Sequence, residues 1–225
     1  MRYLGLFGLV CLLCFIGEQS SAGAWSRTKG SVFFSSSASM SWPKDRPLSL
    51  PDVYGSAYAE YGLGRSLTLG MDVGSSDSTK SSKLKAVGFI RYNLSNPNAR
   101  HQLAVDLGGG SYLGNSVIRA GAAFGMGLKL MDRTGWLSLE GHTLFDLETR
   151  KSAKTLDGTL GITMKRSKIM GQFSAFQSAR QQSTMSFTPS YALDLKSGRH
   201  LEISLSFNVK GKTDPALKIG IWQDF

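Results

Sequence analysis

From Lys29 to the last residue, apolar and polar residues alternate with a period of two. Leu201, Ile203, Leu205, Phe207 and Val209 alternate with Glu202, Ser204, Ser206 and Asn208. Leu137, Leu139, Gly141, Thr143, Phe145 and Leu147 do the same with Ser138, Glu140, His142 and Asp146. Such alternation puts one class of residue on each face of a β-strand. Helical spacing never takes hold, and glycine is too frequent for helices to persist. The pattern predicts strands at 29–42, 52–63, 65–75, 82–95, 100–112, 117–131, 135–148, 152–165, 168–178, 181–195, 199–210 and 214–225. They exceed the usual globular length of about five or six residues. They match the roughly nine to eleven tilted residues that cross a bilayer, with overhang.

The connections alternate in character. Tight turns are expected at Gly64-Arg65, Asn96-Pro97-Asn98, Asp132-Arg133-Thr134-Gly135, Arg166-Ser167-Lys168 and Lys196-Ser197-Gly198. Longer loops are expected over 42–51, 75–81, 109–116, 148–152, 179–183 and 210–215. Short turns at one end and longer loops at the other describe bacterial transmembrane barrels, with both termini on the periplasmic side. The expected fold class is therefore all-β: a transmembrane antiparallel up-and-down β-barrel of about 12 strands, or ten if a marginal strand is miscounted.

The composition of the faces bears on whether such a barrel faces lipid or encloses a soluble core. The apolar face carries no charge in the strands just quoted, nor at Ile118, Ala120, Ala122, Phe124, Met126, Leu128 and Leu130. A lipid-facing surface requires this, because Arg or Lys at the bilayer midplane costs about 2–4 kcal/mol. Aromatics on that face fall near strand ends. Trp42, Phe145, Phe187 and Phe207 lie toward one rim, and Tyr61, Tyr92, Tyr191 and Phe225 toward the other, as interfacial girdles would. Mean hydropathy of −0.10 does not argue against a membrane, since alternation cancels in any average.

The amino terminus reads as an export leader spanning residues 1–24, followed by a barrel domain over 25–225. Arg2 supplies a positive start, Leu4 to Ile16 form a short apolar run, and Ala22-Gly23-Ala24 is a small-x-small cleavage site. The mature chain is then expected to begin at Trp25. A retained anchor is the alternative, although the apolar run falls short of the roughly 18 residues a span needs. Cys11 and Cys14 both lie in this leader, so disulfides, thiol catalysis and cysteine metal sites are not expected in the mature chain. Net charge is +10. For an exported chain without a nucleic-acid motif, the expected counterpart is anionic lipopolysaccharide rather than nucleic acid.

The last strand reads Leu217, Ile219 and Ile221 at alternate positions and closes on Phe225. It resembles the C-terminal β-signal of Gram-negative outer-membrane β-barrel proteins, with Gln223 standing where that pattern has an apolar residue. The start Gly23-Ala24-Trp25, then Gly30 and a strand, is similar to that of many proteobacterial barrels of unassigned role. The resemblance implies an outer-membrane location, outer-membrane lipid and the barrel-assembly machinery as partners, and no functional residues of its own.

Chemistry is sparse. His101, His142 and His200 have no paired spacing for a metal, and no cofactor is expected. A Ser–His pairing of the kind lipid-modifying barrels use does not surround His142, the only histidine predicted in mid-strand. The glycine runs at 108–110 and 121–127 lack the following helix of a phosphate loop; small residues in 117–131 would instead make room across the lumen. Parity places Glu60, Asp72, Lys85, Arg91, Asp106, Arg119, Lys129, Glu140, His142, Asp157, Glu202 and Lys218 inside. If these pair, the barrel is plugged; if they stand apart, they line a narrow channel.

Three readings stay open. One is a small channel for hydrophilic solutes, with anions favoured on net charge and Arg91, Arg119 and Lys129 as its handles. Another is a closed structural barrel whose Lys44, Arg46, Arg150, Lys151, Lys154 and Lys212 hold lipopolysaccharide or an envelope partner. The third is a lipid-modifying enzyme. Oligomeric state is not legible.

Overall fold

The computed structural model describes residues 23–42, 50–76, 84–130, 132–196, 198–211 and 214–225. The strands are β1 (Val32–Ser41), β2 (Asp52–Gly64), β3 (Leu67–Ser76), β4 (Lys85–Asn93), β5 (His101–Tyr112) and β6 (Asn115–Leu130). They continue with β7 (Arg133–Asp146), β8 (Ser152–Thr163), β9 (Ser167–Gln177), β10 (Ser183–Asp194), β11 (Arg199–Lys210) and β12 (Ala216–Asp224). Each pairs antiparallel with its chain neighbours, and β1 pairs with β12 from Phe33↔Asp224 to Ser41↔Ala216, closing the barrel. Val32 and Phe225 exchange backbone hydrogen bonds of 2.8 and 3.2 Å, so the carboxyl-terminal residue completes the seam. Closure leaves no unpaired sheet edge, the condition a hydrocarbon surrounding imposes.

The barrel is inside out relative to a soluble protein. In β5, Leu103, Val105 and Leu107 are exposed while Gln102, Ala104 and Asp106 are buried. The same reversal runs through β11, where Ile203, Leu205 and Phe207 face outward and Glu202 and Ser204 inward. All eight girdle aromatics are exposed on the outer surface, from Phe145 at 38% to Phe225 at 67%. Leu217, half-buried, and Ile219 and Ile221, exposed, share the outward parity of Phe225 in β12. Among the described residues no helix is long and apolar enough to cross a membrane, which says nothing of strands.

Two expected connections differ. Residues 109–116 do not form a loop: Tyr112 pairs with Asn115, leaving only Leu113 and Gly114, both at positive φ, as a two-residue turn. The glycines before it stay in the strand because the sheet is tight there; a Cβ on Gly110 would sit 2.0 Å from the Ala86 carbonyl oxygen. Likewise Leu130 pairs with Arg133, so Arg133, Thr134 and Gly135, expected in a turn over 132–135, belong to β7. Lys44, Arg46, Lys212 and Ser197 lie outside the described residues.

Candidate functional site: the lumen

The lumen divides into two halves. Between β2 and β7 it is filled. Arg91 donates to Glu60 Oε1 at 2.7 Å, Glu140 Oε1 at 2.7 Å and Asp106 Oδ2 at 3.3 Å. Arg119 meets Asp106 at 2.8 Å, Glu140 at 3.1 Å and Asp72 at 3.7 Å, and Asp72 is paired in turn with Lys85. Phe89, inward on the same face as Arg91, lies under both guanidinium groups, 5.1 Å from Arg91 and 4.3 Å from Arg119. Cations over an aromatic face gain further electrostatic attraction. The arrangement follows from parity and register: Arg91 pairs across to Asp106, and Asp106 lies opposite Gly121, whose missing side chain leaves room for the carboxylate.

Both ends of this half are sealed. Toward the β5–β6 turn, Val87, Val117 and Leu144 form an inward apolar cluster with Tyr112 against it. At the opposite end the amino-terminal segment 23–28 enters the barrel as a strap. Its course requires glycine at 62, where a Cβ would sit 1.9 Å from the Thr28 carbonyl oxygen. Arg27 bonds Glu60 at 2.8 Å and Asp224 at 2.7 Å, joining the strap to the network and to the seam strand. Trp25 packs over Gly125, which has no side chain to obstruct the ring, and Ala24 is enclosed by Ala104 and Ala123. Gly23 carbonyl accepts from Arg91 Nη1 at 2.7 Å, and Ala24 carbonyl accepts from Asn93 Nδ2.

From β7 through β12 to β1 the lumen holds instead a cavity of about 400 Å³. Carboxylates of Glu140, Asp157 and Glu202, the Lys218 ammonium and the hydroxyls of Ser35, Ser138 and Thr159 line it. Glu202 accepts from Gln172 and Ser204, each at 3.0 Å, and pairs with Lys218 at 3.4 Å. The inward positions of neighbouring strands are small hydroxyl residues in mutual contact, Ser37 with Ser56 at 2.9 Å and Thr188 with Ser206 at 3.1 Å. At the end bearing the termini, Phe33, Met170, Ala192 and Trp222 make an apolar floor. Beside it Lys168 and His200 lie 3.2 Å apart, and His200 meets Asp194 at 2.7 Å.

Of the residues expected inside, Glu60, Asp72, Lys85, Arg91, Asp106, Arg119 and Glu140 converge in one network, while Asp157, Glu202 and Lys218 stand in the cavity wall. His142 lies among Arg119, Lys85, Asp72 and Asp106 with a buried Nδ1 that has no partner. Lys129 is a correction. It keeps the inward parity of β6 but sits past the last turn of wall, 79% exposed and 3.8 Å from Asp132. Parity cannot place a side chain inside where the strand has outrun the barrel. Arg27, Lys168, Asp194 and Asp224 were not among the expected residues, nor were the inward aromatics Phe33, Phe89 and Trp222. Phe89 was within reach, being two residues from Arg91. His101 is exposed and stacks on Phe124 at the outer surface. Among the described residues no group of three His, Cys, Asp or Glu could hold a metal ion.

Compared with family models and with curated proteins, the sequence matches none. Solved structures are similar in fold. The KdgM porin, known alone and in complex with disordered oligogalacturonate, matches with a TM-score of 0.59 at 10% identity, over 87% of this chain and 99% of that one. An outer membrane channel from Pseudomonas putida F1 matches with a TM-score of 0.53 at 12% identity, over 92% of this chain and 100% of that one. At these identities the likeness is one of fold: a closed antiparallel barrel of the porin type.

Proposed function

We propose that the protein is an outer-membrane channel that passes small hydrophilic solutes through the hollow half of its lumen. The observation that carries this reading is the cavity of about 400 Å³, lined by carboxylates, an ammonium and hydroxyls as well as by aromatic side chains, inside a closed barrel whose outer face is apolar. A filled barrel would have its inward positions occupied by mutually packed side chains, as β2 to β7 do here. The porin-type fold supports the same reading. Export by a cleaved leader, assembly through the C-terminal strand and contact with lipopolysaccharide belong to the proposal.

The charge pattern refines which groups meet a solute. Arg91 and Arg119, the expected anion handles, are each about 1% exposed and bound to carboxylates, so they hold the structure together rather than face the route. The cations that an arriving anion would meet first are on the rim. Arg150, Lys151 and Arg180 surround a groove of about 430 Å³, with Lys154 exposed nearby. Such a rim concentrates anions at the mouth, while Asp157 and Glu202 temper that preference within. Neutral and weakly anionic polar solutes are the class this favours.

The test is single-channel recording of purified, folded protein in a planar bilayer under a salt gradient. Discrete steps support the channel. Silence from protein shown to be inserted would reject it in favour of a closed structural barrel. One observation favours that second reading, namely that half of the lumen is sealed by ion pairs, apolar clusters and the strap.

A further inference from the structure

We infer that the leader is removed after Ala22 rather than after Ala24, and that the Gly23 amino group so released docks on Glu140 inside the lumen. This rests on the export reading above. Two small-x-small triplets overlap in the sequence, Ser20-Ser21-Ala22 and Ala22-Gly23-Ala24, and both satisfy the requirement of a leader peptidase. The folded barrel distinguishes them. Ala24 is fully buried against Ala104 and Ala123, and the carbonyls of Gly23 and Ala24 are the acceptors for Arg91 Nη1 and Asn93 Nδ2. Arg91 Nε and Asn93 Oδ1 are already buried without partners. Losing residues 23 and 24 would leave further buried donors unmet, which costs more than an exposed hydrogen bond returns.

Charge points the same way. Among the described residues, ion pairs link the carboxylates of Glu60, Asp72, Asp106 and Glu140 in the filled half, and Asp224 at the seam, to Arg27, Lys85, Arg91 and Arg119. Both arginine bonds to Glu140 fall on Oε1. Its Oε2 lies 3.1 Å from where a Cβ would project from Gly23, and Ser138 Oγ lies 3.3 Å from the same point. An ammonium on the Gly23 Cα therefore sits in the field of a carboxylate oxygen that the arginines leave over. Cleavage after Ala24 would put the ammonium on Trp25, next to the apolar pocket of Ala104 and Ala123, where a charge is penalised.

The experiment is the intact mass of the protein extracted from outer membranes, followed by refolding of two purified chains, one starting at Gly23 and one at Trp25. The inference predicts a native mass that starts at Gly23. It also predicts that the Gly23 chain melts several degrees above the Trp25 chain, an advantage reduced by acetylating the Gly23 amine or by Glu140→Gln. An outer-membrane mass starting at Trp25, equal melting of the two chains, or indifference to acetylation would overturn it while leaving the channel reading intact. A chain found uncleaved and outside the outer membrane would instead defeat the export reading and this inference with it.

Discussion

Between β2 and β7 the lumen is packed with paired arginines and carboxylates, two apolar clusters and the strap, while from β7 through β12 to β1 the same kind of alternating strand encloses a cavity. Closure and strand pairing are alike on the two sides, so the difference lies in which inward side chains meet across the lumen. Arg91, Arg119, Glu60 and Phe89 reach across and meet in one network. Ser35, Ser37, Thr159, Ser204 and Ser206 stop short. A barrel of this strand number is thus neither inherently open nor inherently plugged; its state is chosen position by position on the inner face.

The two halves should respond differently to mutation, and the largest contrast is in stability. Arg91→Met removes the one charge that meets Glu60, Asp106 and Glu140 together, leaving Arg119 on Asp106 and Glu140 and Arg27 on Glu60. Removing one partner of a buried ion pair costs about 3–5 kcal/mol. Thr159→Ala, in the cavity wall, should change stability by no more than about 0.5 kcal/mol. Urea unfolding in lipid vesicles measures both, and similar losses would erase the distinction between the halves.

Next in size is an effect on conduction. Gly125→Leu puts a side chain where the Trp25 ring lies, since even a Cβ there would be 2.7 Å from that ring. The strap should be displaced and, because Gly23 at its head lines the hollow half, single-channel conductance should rise several-fold; an unchanged conductance would show that the strap does not limit the route. Trp222→Ala should produce a smaller rise by thinning the apolar floor of the hollow half, and no change would mean that the floor is not a constriction. Smallest of all is selectivity. Asp157→Asn removes one carboxylate from the cavity wall and should shift the reversal potential modestly toward anions, whereas Asp72→Asn, in the filled half, should not move it in that sense. The reverse order would relocate the route to the filled half.

Most of the architecture was legible in the sequence because it depends on a period of two, which twelve strands repeat. All twelve strands fall within about three residues of the positions that alternation indicates. Glycine misled at 109–116, since the same residue that marks a loop also permits close strand contact, and Gly110 serves the second purpose. For the lumen, parity sorted inside from outside but carried no depth, so Lys129 was counted among the lining. Nor did it show which residues meet across the barrel. Arg27 and Trp25 were illegible for a different reason: they precede the first strand and belong to no alternating pattern, and only the closed fold brings them against Glu60, Asp224 and Gly125.

The most direct test compares two single cysteines in the mature chain, Thr159→Cys in the hollow half and Thr68→Cys in the filled half. Each is treated with a charged thiol reagent during single-channel recording. Thr159 lines the cavity, whereas Thr68 is inward but only 1% exposed. A drop in conductance at Thr159→Cys with none at Thr68→Cys is the predicted result. A block at Thr68→Cys, or indifference at both positions, would contradict passage through the hollow half.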